Sequence, residues 1–207
     1  MFKTILFDID GTLIDSQQYL LEALSNALQT TFNVSLSTKE LEQFLGQTDL
    51  TIAKMFTSDV DKQQAFALEW TKNVAMQTEP PLLFETVLDT LQVLKKQNVQ
   101  IGIVTSKTKL HMEQDFNKLH LNDLFDVIVC ADMVTNTKPD AEPLLLAMEM
   151  LGSSPEHTLY IGDSESDLHC AKHAQVTFGL ALWGTKLNMN DPTILYLSSC
   201  HDVLNYI

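Results

Sequence analysis

The chain has 207 residues, 45% of them hydrophobic, and a formal net charge of −14 from 27 acidic and 13 basic residues. Every basic residue is a lysine, so there is no guanidinium to grip guanine or phosphate in bidentate fashion, and nucleic acid is not an expected partner. No apolar run approaches the ~20 residues of a membrane span, and the segment Met1 to Asp8 turns acidic too soon for a signal peptide.

A cytoplasmic globular protein with no membrane partner is therefore expected, as a monomer or weak homodimer. At ~100–200 residues per domain, the length suits one large domain or a core carrying a smaller insertion. Cys130, Cys170 and Cys200 are odd in number and widely spaced, which suggests neither a disulfide framework nor a zinc site.

Residues 4–9 form a short apolar run that Gly11 breaks, the pattern of a buried strand ending in a turn. From Asp15 to about Gln77 the rhythm is helical. Leu20, Leu21, Leu24 and Leu28 recur at helical spacing, Ser37 and Glu40 form a capping box, and Gly46 reads as a helix stop. Thr48 and Ser58 are expected caps for two more helices, and Pro80 and Pro81 end the segment.

Beyond Pro81, helices are expected over 83–97, 108–119, 141–151 and 165–174, alternating with strands over 99–104, 126–130, 157–161 and 177–182. A closing helix is expected over 195–207. This alternation predicts an α/β fold with a doubly wound, Rossmann-like parallel sheet. The core comprises 1–14 and 82–207, and an all-helical insert occupies 15–81.

In such a sheet ligands bind outside the carboxyl ends of the strands. Those ends carry Asp8, Asp10, Gly11 and Thr12 after the first strand, Thr105 and Ser106 after the second, Lys138 in a loop after the third, and Asp163 and Asp167 after the fourth. Any one of these could be an acidic turn or a helix cap. Together they put acids, a hydroxyl and a lysine on one edge.

Crowded carboxylates repel unless a hard cation neutralises them, and magnesium suits oxygen ligands and phosphate. A carboxylate can attack phosphorus. A lysine, a threonine hydroxyl and the amides of Gly11 and Thr12 could hold the transferred group. A small anionic substrate is compatible with the net charge, because a bound cation reverses the field locally.

The segments Asp8 to Ser16, Val104 to Lys107, Lys138 to Asp140 and Tyr160 to Asp167 resemble the motifs of haloacid dehalogenase-type hydrolases, especially the phosphoglycolate phosphatase-like branch with an inserted helical cap. The resemblance spans essentially the whole chain. It implies a magnesium-dependent phosphatase acting on a small phosphorylated metabolite through an aspartyl-phosphate.

On that resemblance Asp8 is nucleophile and metal ligand. Asp10 protonates the leaving group, later activates water, and lends its carbonyl to the metal. Thr105 binds phosphate, Lys138 orients Asp8 and phosphate, Asp163 ligates the metal, and Asp167 supports the metal shell. Gly46, Gln47 and Thr48 in the cap would face the substrate, and residues 13–16 and about 78–82 would be hinges for cap closure. An acid at Asp10 argues for phosphoryl transfer over dehalogenation.

Thr137, Ala141 and Gln175 depart from the family's usual glycine, proline and glycine, without removing a catalytic group. The rival readings are a beta-phosphoglucomutase-like mutase, which typically has an acid where Gly162 stands, a pyrophosphatase or nucleotidase, and a catalytically silent binding module. His169 and His173, one helical turn apart, could pair on a metal, but no third ligand is near in sequence.

Overall fold

The computed structural model describes residues 1–76, 81–185 and 187–207. Six parallel strands build the main sheet in the order β5-β4-β1-β6-β7-β8. They are β1 (Thr4–Phe7), β4 (Gln100–Val104), β5 (Val127–Val129), β6 (Thr158–Gly162), β7 (Thr177–Ala181) and β8 (Leu195–Leu197). Central β1 pairs with β4 on one side and β6 on the other, so the loops after all three open at one edge.

Alternate residues of these strands feed two cores, as a sheet covered on both faces requires. Ile5, Phe7, Ile101, Ile103 and Ile161 pack with Val87, Leu91 and Leu94 of α5 (Val87–Lys96). Leu6, Val104, Val129 and Tyr160 pack on the other face with α7 (Glu142–Leu151) and α8 (Glu165–His173).

The insertion has its own core. Leu20, Leu24 and Leu28 of α1 (Gln17–Phe32) meet Ile52 of α3 (Asp49–Phe56) and Phe66 and Trp70 of α4 (Val60–Ala75). Phe32 stacks on both Phe56 and Phe66 with ring centroids 5.5 Å apart. The short α2 (Thr38–Glu42) starts in the expected Ser37–Glu40 capping box. Where the chain enters and leaves the insertion, β2 (Ile14–Asp15) pairs antiparallel with β3 (Leu82–Leu83).

Several expectations are revised. Asp59 rather than Ser58 caps α4, because its carboxylate accepts from the amides of Asp61 and Lys62. The helix expected over 108–119 stops after α6 (Lys109–Gln114), where Asp115 leaves helical geometry (φ −130°, ψ −73°) to cap a short 3-10 turn. No closing helix spans 195–207. Leu195–Leu197 instead completes the sheet against β7, and a 3-10 helix follows over Cys200–Tyr206. Residues 78–80 of the expected second hinge, Pro80 of the expected stop, and Gln77 lie outside the described residues.

Gln175, which replaces the family's glycine, sits exposed after α8 with φ +58°. A side chain in that left-handed region strains the backbone, and glycine would not. Gln175→Gly is therefore expected to raise unfolding stability by up to about 1 kcal/mol, read from the denaturant midpoint; a lowered midpoint would contradict this account.

Candidate active site

The site grows from the end of β1. The amide of Asp8 still donates to Ile161 in the sheet, after which Ile9 O accepts from the amides of Thr12, Leu13 and Ile14 and closes a tight turn. Gly11 stands in that turn at φ +75°, and a Cβ there would collide with the Asp163 carboxylate. Glycine thus lets the turn and the end of β6 approach closely enough to share a site.

Asp8, Asp163 and Asp167 bring carboxylate oxygens within 4.8 Å of one another, the one such grouping among the described residues. Lys138 holds two of them together. Its Nζ lies 2.9 Å from Asp8 Oδ1 and 2.7 Å from Asp167 Oδ1, and it also donates to the Tyr160 hydroxyl at 3.1 Å. Asp167 further accepts from the amide and hydroxyl of Ser164 at its helix start.

Burial pushes the Asp8 carboxyl up to about 7, with Asp167 and Asp10 adding to the rise while Lys138 opposes it. Asp163 is raised well above the carboxylate range by burial and then by its acidic neighbours. Burial opposes ionisation of Asp167, but Lys138 and its hydrogen bonds outweigh this and hold it low.

Lys138 thus compensates Asp8 only in part, Asp163 has no cation of its own, and the Asp163 side chain makes no hydrogen bond among the described residues. That donor set fits a hard divalent cation, which would supply the missing charge. Asp167 is saturated by Lys138, Tyr160 and Ser164, which suits a supporting position.

Asp10 faces the insertion. It accepts from Ser16 Oγ at 2.5 Å and lies 3.0 Å from Lys107 Nζ, which is 2.6 Å from Asp115. Tyr19 of α1 donates to the same Asp115 oxygen at 2.7 Å. Burial disfavours the Lys107 charge, yet Asp10, Tyr19 and Asp115 raise its pKa well above the ordinary lysine value.

Two further contacts join insertion and core. Ser106 Oγ donates to Gly46 O at 2.9 Å, and Thr71 Oγ1 lies 2.8 Å from His111 Nε2. Between the two parts lies a cavity of about 80 Å³ whose lining includes Asp8, Asp10, Gly11, Thr105, Ser106 and Asp163. Gly46 and Gln47 line it from the insertion. Thr48 does not; its hydroxyl caps α3 by accepting from Thr51.

The amides of Gly11 and Thr12 are already committed to Ile14 O and Ile9 O, and Thr12 Oγ1 is buried without a partner. The neighbouring amides of Ile9 and Asp10 donate in no hydrogen bond among the described residues. Thr105 Oγ1 accepts from the Lys107 amide at 3.2 Å, leaving its proton for another acceptor. His169 and His173 stack 6.3 Å apart, and His173 pairs with Pro139 O.

Lys107, Asp115, Tyr19, Asp49 and His111 were not singled out from sequence. Only Lys107, two residues beyond Thr105 at a strand end, carried a usable signal.

The sequence profile of the haloacid dehalogenase-like hydrolases matches residues 5–181. Relatives named pyrophosphatase PpaX share 32% identity over 185 residues in Bacillus cereus and 31% in Oceanobacillus iheyensis, each covering 89% of this chain and 85% of the relative. A haloacid dehalogenase-like hydrolase structure from Bacteroides fragilis is similar with TM-score 0.84 and 29% identity, over 98% of this chain and 100% of that one. A structure from Lactobacillus plantarum described as a phosphoglycolate phosphatase has TM-score 0.89 and 25% identity, with both chains covered completely.

Two outcomes follow from this geometry. Lys138→Met leaves two buried acids uncompensated and is expected to destabilise the fold by about 3–5 kcal/mol, measured by chemical unfolding; a loss below about 1 kcal/mol would mean the acids are not held by Lys138. Asp8 keeps its proton in the fold up to about pH 7 but releases it near 3.8 when unfolded. Its contribution to stability therefore falls as pH rises across that window. Added magnesium should then raise Tm more at pH 8 than at pH 5.5, with the difference reduced in Asp8→Asn; an equal shift at both pH values would sink this assignment.

Proposed function

The chain belongs to the haloacid dehalogenase-like hydrolase family and is an enzyme of its phosphatase branch, and we propose that it hydrolyses a small phosphorylated metabolite by magnesium-dependent transfer through Asp8. The observation that carries this reading is the convergence of Asp8, Thr105, Lys138 and Asp163 at one sheet edge, with Asp10 facing the cavity beside them.

Asp8 attacks phosphorus with the oxygen that Lys138 does not hold, and the bond from phosphorus to the leaving oxygen breaks. Asp10 turns from Ser16 and Lys107 and gives that oxygen a proton, so an alcohol departs and an aspartyl-phosphate remains. Asp10 then takes a proton from water as the water attacks phosphorus, restoring Asp8 and releasing inorganic phosphate.

Thr105 and the free amides of Ile9 and Asp10 hold the phosphoryl oxygens throughout, and Lys138 balances their charge. Magnesium, held by Asp8, the Asp10 carbonyl and Asp163 with Asp167 behind them, would neutralise the phosphoryl charge.

Residues 15–81 act as a cap over the core of 1–14 and 82–207. Closure shields the reaction from bulk water, and the β2–β3 ribbon serves as the hinge. A phosphosugar mutase is disfavoured because the acid expected in place of Gly162 has no room, a Cβ there lying 2.5 Å from Asp167 Cγ. Pyrophosphate hydrolysis is the second reading, favoured by the names of the B. cereus and O. iheyensis relatives.

The test is phosphate release from a panel of phosphomonoesters and pyrophosphate. Turnover is expected to require magnesium, to vanish in Asp8→Asn, and to drop by about 10²–10⁴ in Asp10→Ala. Folded protein that releases phosphate from none of them would end the proposal.

A further inference from the structure

The phosphoryl end of the cavity is balanced by Lys138 and by the cation its acids suit. The opposite end, under the cap, is not. Asp49, the first residue of α3, lines it with a side chain only 9% exposed. Its Oδ1 accepts from the Leu50 amide at 2.7 Å, while Oδ2 lies 3.8 Å from His111 Nε2, beyond hydrogen-bond reach. On this largely buried side chain, Oδ2 faces the cavity and receives no hydrogen bond among the described residues, which leaves it open to a donor on a ligand.

No nearby cation is available to an anionic ligand. His111 is turned to Thr71 at 2.8 Å, and burial lowers its pKa. Lys107, the one lysine among the described residues lining this cavity, lies between Asp10 and Asp115 at 3.0 and 2.6 Å. Asp10 and Asp115 thus neutralise that one ammonium, Asp49 adds a further acid to the cavity wall, and the chain has no arginine.

Leu20, Phe44, Trp70 and Val74 give the wall an apolar part, and apart from Asp49 its other side chains from the insertion, among them Gln17 and Gln47, are uncharged. A wider adjoining cavity of about 610 Å³ shares Gln17, Leu45 and Gln47 and is bordered by Glu42 and Glu165; Lys138 also lines it but is held by Asp8 and Asp167. At about 80 Å³, several times the ~10–15 Å³ that admits one water, the inner cavity suits a small ligand such as a short phosphomonoester.

We infer that this enzyme selects a short phosphomonoester whose alcohol is uncharged or cationic and gives Asp49 a hydrogen bond from a hydroxyl or ammonium, and that it rejects a leaving group carrying a second anion. The inference rests on the phosphatase reading. It sets this chain apart from a pyrophosphatase and from a phosphoglycolate phosphatase, whose leaving groups are anionic.

The experiment compares kcat/KM of the full chain with magnesium on phosphoethanolamine, glycerol phosphate, phosphoglycolate and pyrophosphate, with p-nitrophenyl phosphate as a reporter of phosphoryl transfer. One of the first two should exceed both anionic substrates by at least about tenfold, and which one leads separates ammonium from hydroxyl recognition. Asp49→Asn should raise KM for the preferred ester more than it lowers kcat, and Asp49→Lys should shift preference toward the anionic pair.

Should Asp49→Lys not fold, the near-isosteric Asn variant decides alone. Faster turnover of phosphoglycolate or pyrophosphate than of both other esters overturns the inference, as does an unchanged KM in Asp49→Asn. No turnover of any substrate, the aryl ester included, overturns the phosphatase reading and this inference with it. Aryl turnover with the wrong selectivity overturns the inference alone.

Discussion

One ammonium makes the site possible. Lys138 is buried between Asp8 and Asp167, and burying any of these charges alone would cost several kcal/mol. Their mutual compensation, with the Tyr160 hydroxyl and the Ser164 capping box completing the hydrogen bonds, lets a third acid, Asp163, stand alongside. The backbone yields to the same crowding, since Gly11 and Gly162 leave room where any Cβ would strike Asp163 or Asp167.

A second buried lysine repeats the device at the boundary between the two parts. Lys107 ties Asp10 to Asp115, and Tyr19 reaches Asp115 from the first cap helix. Asp10 is therefore held by core and insertion together, through Lys107 on one side and Ser16 on the other. A shift of α1 relative to the sheet would act on the residue proposed to move the proton, and the proposed closure would then be coupled to chemistry without a dedicated loop.

The acids at strand ends were legible because a parallel sheet sends them all to one edge, and because a strand followed by glycine or a helix cap is a strong local signal. Asp115 was hidden for the opposite reason. It lies inside a periodic helical stretch, and the helix stops where its carboxylate caps the 3-10 turn through one oxygen and takes Lys107 and Tyr19 on the other. The end of the chain misled for a related cause: Leu195 and Leu197 fit a helix as well as a strand until the open edge of β7 offers hydrogen bonds. The amides of Gly11 and Thr12 looked free in sequence, whereas the turn that positions Asp8 consumes them and leaves those of Ile9 and Asp10.

The two ends of the cavity differ in what fixes them. At the phosphoryl end the positions of Asp8, Thr105 and Asp163 follow from strand order, so any chain with this sheet and these motifs keeps them. At the end proposed for the leaving group, Asp49 and Trp70 belong to helices and Phe44 to the turn after α2, all beside the insertion's own aromatic core, and no sheet register constrains them. What this chain places at that end is an acid with an oxygen open to a donor, a partly apolar wall and a lysine already neutralised, and the proposed selectivity rests on those side chains rather than on the motifs at the sheet edge.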